Sequence, residues 1–88
     1  MMRFDEVRKA LMDIDEEILM AAGFEEALIG YVTVFSSTVA LYDRAKCIEI
    51  LKKRDGMDEE AAEEFFEFNV AGAYVGEKTP AFAVILKK

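Results

Sequence analysis

Two apolar runs with almost no gap between them constrain this chain more than any other feature. Ala27–Phe35 is interrupted only by Gly30 and Thr33, and its Leu28, Ile29, Tyr31, Val32, Val34 and Phe35 are aliphatic, β-branched or aromatic. Such residues fit a pleated, packed surface. Ser36-Ser37 is a short polar break, and Thr38–Tyr42 is a second run. So short a break predicts an antiparallel hairpin over residues 27–42, although Ser-Ser lacks the glycine or asparagine of the strongest two-residue turns. A strand with one face in water alternates apolar with polar residues. Here Leu28, Val32 and Val34 fall on one side and Ile29, Tyr31 and Phe35 on the other. A last predicted strand, 81–86, behaves alike: Phe82, Val84 and Leu86 oppose Ala81, Ala83 and Ile85. Both faces of the sheet therefore need cover.

The rest of the chain reads as helices. Phe4, Val7, Leu11, Ile14, Ile18 and Ala21 recur at steps of three and four, which predicts one amphipathic helix over 4–22. Met12 and Leu19 widen its apolar face, and Gly23 is placed to end it in a left-handed cap. Asp43 is the expected N-cap of a helix from Arg44 to about Arg54, whose apolar face is Cys47, Ile48 and Leu51. Lys52, Lys53 and Arg54 fall at its negative end, and Asp55-Gly56 stops it. Asp58 is the expected cap of a third helix, Glu59 to about Val70. Its predicted buried face is Ala61, Phe65, Phe68 and Gly72, with Ala62 and Phe66 beside it. A loop over 71–80 leads to the last strand, and Lys87-Lys88 is the expected solvated end.

The order α-β-β-α-α-β predicts an α+β domain: a small, three-stranded, mainly antiparallel sheet packed with helices. The 88 residues form one domain, 1–88. A domain of this size removes only about 60–65% of its unfolded surface from water. It is too short for a dinucleotide-binding or barrel enzyme. Three short helices cover one sheet face, so the other is expected to meet a second copy or another protein, because large exposed apolar patches are rare on monomers.

Charge narrows the function classes. Eighteen Asp and Glu against 11 Lys and Arg give a net charge of −7, so no nucleic-acid binding is expected. There is no His, which removes the commonest general base and metal ligand. The single cysteine, Cys47, permits no disulfide within the chain and no Cys-rich zinc site. It lies on an apolar helix face, where a buried small hydrophobe is the expected role. A charged N-terminus predicts no targeting segment, and no apolar run approaches the ~20 residues of a membrane span. A cytoplasmic setting follows as the simplest expectation. No catalytic residue, metal ligand or cofactor is assigned.

Two features remain as candidate sites. Gly72–Thr79 looks like a phosphate loop ending in Gly-Lys-Thr, but the spacing between glycines is wrong and a Glu precedes the Lys. It also leaves a helix for a strand, the reverse of the real motif. As a loop on a rigid scaffold it still presents Asn69, Tyr74, Glu77, Lys78 and Thr79 for binding. The second feature is acidic: Glu60, Glu63, Glu64 and Glu67 share one surface of the third helix. Nothing local encloses them, and a solvated face is the plain reading.

The second half also carries a recognisable pattern. Tyr42-Asp43, Lys46–Leu51, Arg54–Met57, Glu60-Ala61, Glu64, Phe66, Phe68–Val70, Gly72–Glu77, Thr79-Pro80 and Phe82 resemble a small family of uncharacterised proteins common in bacteriophage and prophage genomes. The resemblance spans Tyr42 to Phe82, about half of the chain. It implies no activity. It implies a viral or mobile-element setting, and that Asn69 and the loop to Pro80 are a shared feature. The expected function is a small acidic protein-interaction module, a homodimer acting on a host protein. The alternative is a binder or sensor of a small ligand at 69–80.

Overall fold

The computed structural model describes residues 3–86. Among them are three α-helices and one three-stranded sheet: α1 (Phe4–Ile14), β1 (Leu28–Val34), β2 (Ser37–Asp43), α2 (Arg44–Asp55), α3 (Glu59–Phe66) and β3 (Ala81–Ala83). Lys87-Lys88 and the Phe4 side chain lie outside the description. The α+β class holds, but the sheet is mixed. In the order β1-β2-β3, β1 pairs antiparallel with β2, and β3 pairs parallel with β2. The helical α2–α3 crossover returns the chain in the same direction, as a parallel pairing requires. No helix among the described residues is long and apolar enough to cross a membrane.

The hairpin forms where expected, with a shifted turn. Val34 pairs with Ser37, so the two loop residues are Phe35 and Ser36 rather than the two serines. Phe35 takes φ 56°, in the left-handed region, and is 99% exposed. A bulge between Leu28 and Gly30 changes which side chains share a face. β3 is shorter than the predicted strand. It ends at Ala83, and Val84 and Leu86 are exposed.

The first helix is the largest correction. It stops at Ile14 instead of Ala22. Asp15 is extended, and its carboxylate accepts from the Glu17 N–H at 2.9 Å, a local turn that competes with helix. Asp13, Asp15, Glu16 and Glu17 also crowd the negative end of the helix dipole. The apolar stripe still reaches the core: Val7, Leu11 and Ile18 are buried. Ile18 and Phe24 get there from irregular chain, fixed by three long-range contacts. The Ala21 N–H donates to the Tyr42 hydroxyl at 2.7 Å. Arg54 donates to the Gly23 carbonyl at 2.8 Å, and its guanidinium lies 5.4 Å from the Phe24 ring centre. Gly23 does have a positive φ, 91°, but well beyond the helix; a Cβ there would meet Arg54 at 2.7 Å.

α2 and α3 follow their caps. Asp43 accepts from the Lys46 N–H and Asp58 from the Ala61 N–H. Gly56 ends α2 at φ 67°. Cys47, Ile48 and Leu51 are buried as expected. α3 is rotated by one residue from the expected face: Ala62 and Phe66 are fully buried, whereas Phe65 is 38% and Phe68 77% exposed. From Glu67 to Ala71 the helix widens into a π turn. Gly72 is required by close approach, not by a left-handed cap: its φ is −82°, and a Cβ would lie 2.8 Å from the Glu67 carbonyl oxygen. Phe82 of β3 seals the core, 5.6 Å from the Tyr42 ring and 5.1 Å, edge to face, from Phe66.

Candidate functional site

The loop candidates separate into two that hold the structure and two that face solvent. Thr79 is structural. Its Oγ1 accepts from the Val75 N–H at 2.9 Å and donates to the Gly76 carbonyl at 2.6 Å, closing a turn that Gly76 enters at φ 113°. Lys78 is structural too. Its Nζ binds the Asp15 carboxylate and reaches the Thr38 carbonyl, tying the loop to the end of α1 and to β2. That bond holds the Asp15 carboxyl below its ordinary pKa, helped by the Glu17 N–H. The amine that the phosphate-loop look-alike would offer is thus already engaged. Tyr74 is 78% exposed, and Glu77 is exposed beside it. Asn69 sits apart, on the π turn, and donates to the Phe65 carbonyl at 3.3 Å.

Between this loop and residues 19–24 lies a cleft of about 390 Å³, walled mainly by Leu19, Met20, Phe24, Val70, Val75 and Pro80. Asn69 and Thr79 are its polar contributions, and the Thr79 hydroxyl is spent on its own turn. Orienting a ligand takes a few convergent polar groups, so this wall favours apolar contact over chemistry.

The four glutamates are not equivalent. Glu67 is claimed by Arg44, at 2.6 Å, and Arg44 also stands 5.5 Å over the Phe66 ring. Glu63 is half-buried, whereas Glu60 and Glu64 are exposed. Glu59, outside the predicted set, pairs with Lys52 at 2.8 Å, which lowers its pKa. Glu64 borders a cleft of about 370 Å³ whose floor is the outward side of α3 and its flanks: Met57 before it, Ala61 and Phe65 on it and Phe68 beyond it, with Asn69 at its end. The structure thus joins Glu64 and Asn69, one from each predicted set, at an apolar surface that the expected helix rotation had placed in the core.

A cleft of about 570 Å³ between residues 23–26 and α2 was not expected from the sequence. Lys46, Lys53 and Arg54 face Glu25, Glu26 and Glu49 there, and Lys53 already pairs with Glu49 at 2.9 Å. That balance leaves no net charge for an ionic ligand. The available signal was the concentration of basic residues in α2, which carries Arg44, Lys46, Lys52, Lys53 and Arg54 in an otherwise acidic chain. Cys47 is fully buried, and burial pushes its thiol up to about 12, so no thiolate nucleophile is present near neutral pH. No group of three or more acidic or Cys side chains among the described residues could hold a metal ion. No protein-family model, no curated protein and no solved structure matches the chain.

Proposed function

We propose that this protein is a small acidic interaction module that self-associates as a homodimer and binds a protein partner. The carrying observation is its uncovered apolar surface. Phe35, Phe68, Tyr74 and Val75 are each more than 60% exposed, and Ile29, Tyr31 and Val34 are about half exposed. A folded domain retains such surface at cost unless something covers it. Glu60 and Glu64 flank the α3 stripe and make it complementary to a partner that is both apolar and basic. The phage-like pattern of residues 42–82 supports a host protein as that partner and the cytoplasm as the setting. On this reading the protein works by binding and not by catalysis.

Native mass spectrometry of the gently purified protein tests the reading. A dimer without extra mass supports it, and a monomer without extra mass overturns the homodimer. A defined extra mass favours the second reading, a small-ligand binder, whose specific support is the cleft between Leu19 and Pro80. Asn69→Ala with Val75→Ala, both on the wall of that cleft, then loses that mass while the fold is kept.

A further inference from the structure

Positions 27–42 contain no charged residue, in a chain where 33% of residues are charged. The fold turns this stretch into the β1–β2 hairpin, with Val32 opposite Val39, Val34 opposite Ser37 and Gly30 opposite Leu41. Alternation puts these residues on one face and Ala40 and Tyr42 on the other. Ala40 and Tyr42 join the core cluster together with the buried residues of α1, α2 and α3. Val32, Val39 and Leu41 stand outside that cluster; Val39 is only 4% exposed, so the open part of the face is its rim. Val32 and Leu41 are part-exposed, Val34 is 49% exposed, and nothing lies within 4 Å of where a Cβ on Gly30 would stand. Phe35, in the turn at the end of the hairpin, is 99% exposed.

We infer that this hairpin face docks a second copy of the same chain. The inference rests on the homodimer reading and specifies its surface. Area is the first argument. The chain exposes 6251 Å², whereas a folded monomer of 9.9 kDa exposes about 5,200 Å². The excess, about 1,000 Å² spread over the whole chain, is enough for one interface of the roughly 800 Å² that each partner buries in a standard complex, without saying which face supplies it. Charge is the second. Two copies at −7 each repel, and a two-fold contact sets every residue near its own counterpart or that of a neighbour. An uncharged face satisfies both conditions. The α3 stripe does not, because two-fold docking there would bring Glu60 and Glu64 of both copies together.

Sedimentation equilibrium of the full chain tests this, with circular dichroism to confirm folding. The wild type is expected to be a dimer. Val34→Asp, placing a carboxylate on the half-exposed face, should weaken the dimer by more than about 100-fold. Phe68→Asp, on the π turn after α3, should leave it unchanged. If Val34→Asp does not fold, Phe35→Asp takes its place, since Asp tolerates the left-handed backbone of that position. A wild-type dimer that persists in the folded hairpin variant overturns this inference and leaves the homodimer standing, as does a dimer lost only in Phe68→Asp. A monomeric wild type overturns both.

Discussion

Replacing Tyr42 with Phe isolates the contact that sets the path of the chain between α1 and β1. The Tyr42 ring is 1% exposed, and its hydroxyl accepts from the Ala21 N–H at 2.7 Å, with the Met20 sulfur at 3.9 Å. Tyr42→Phe keeps the ring against Phe82 and removes only that oxygen. The lost hydrogen bond contributes about 0.5–1.5 kcal/mol, and a fully buried, unsatisfied N–H would cost about 1–3 kcal/mol. Ala21 is only part-buried, so water recovers some of the loss. The net expectation is about 1–2 kcal/mol. For a domain of this size that lowers Tm by roughly 5–15 °C. Urea unfolding at fixed protein concentration should show a lower midpoint with unchanged slope. Amide exchange at Ala21 should accelerate more than exchange within α2. A loss under about 0.5 kcal/mol with unchanged Ala21 exchange would refute the reasoning.

The Cys47 and Tyr42 side chains are both held protonated by burial, so the folded state keeps its protons longer than the unfolded chain. Stability should fall as pH climbs above about 9, and Cys47 should resist alkylation at pH 8 until the protein is unfolded. Asp15 is depressed below its ordinary value of 3.8 by Lys78, so its contribution is present above that pH and fades as pH falls through the folded value. Asp15→Asn and Lys78→Met should each flatten that acid limb, and combining them should add little, as a denaturation series against pH would show. Phe35→Gly should raise monomer stability by up to about 1 kcal/mol, since the left-handed conformation costs a non-glycine about 1–2 kcal/mol and glycine loses part of that gain in chain entropy. If Phe35 rims the interface, the same variant should weaken the dimer, giving opposite signs in one substitution.

Local chemistry was legible where one residue decides the outcome. Asp43 and Asp58 cap their helices and Gly56 closes α2 because the deciding hydrogen bond or φ lies within three residues. The end of α1 was not, because the apolar spacing runs on through Ile18 and Ala21 while the chain leaves the helix at Asp15. The acid residues around Asp15 were a visible signal that spacing outweighed. The direction and length of β3 depend on Phe82 meeting Tyr42 and Phe66, which strand propensity does not encode. The α3 error was rotational: Ala61-Phe65-Phe68 and Ala62-Phe66 are both valid apolar rows, and only tertiary contact chooses between them. In the loop, Lys78 and Thr79 were expected to meet a ligand or partner. Their partners are Asp15, 63 positions away, and the loop's own backbone.

The two proposed surfaces respond to salt in opposite directions. Arg44, Lys52, Lys53, Arg54 and Lys78 are each drawn into an ion pair within the chain. That leaves an excess of carboxylates, with Glu60 and Glu64 exposed along α3. A basic partner held there would be released as salt screens the attraction, over a Debye length of about 8 Å at physiological ionic strength. A second copy on the uncharged hairpin has no attraction to lose. It has only the repulsion between two bodies of net charge −7, so added salt should tighten the dimer. A dimer that weakens steadily as NaCl rises would mean that charged groups hold it, and the hairpin face, which has none, would no longer account for the assembly.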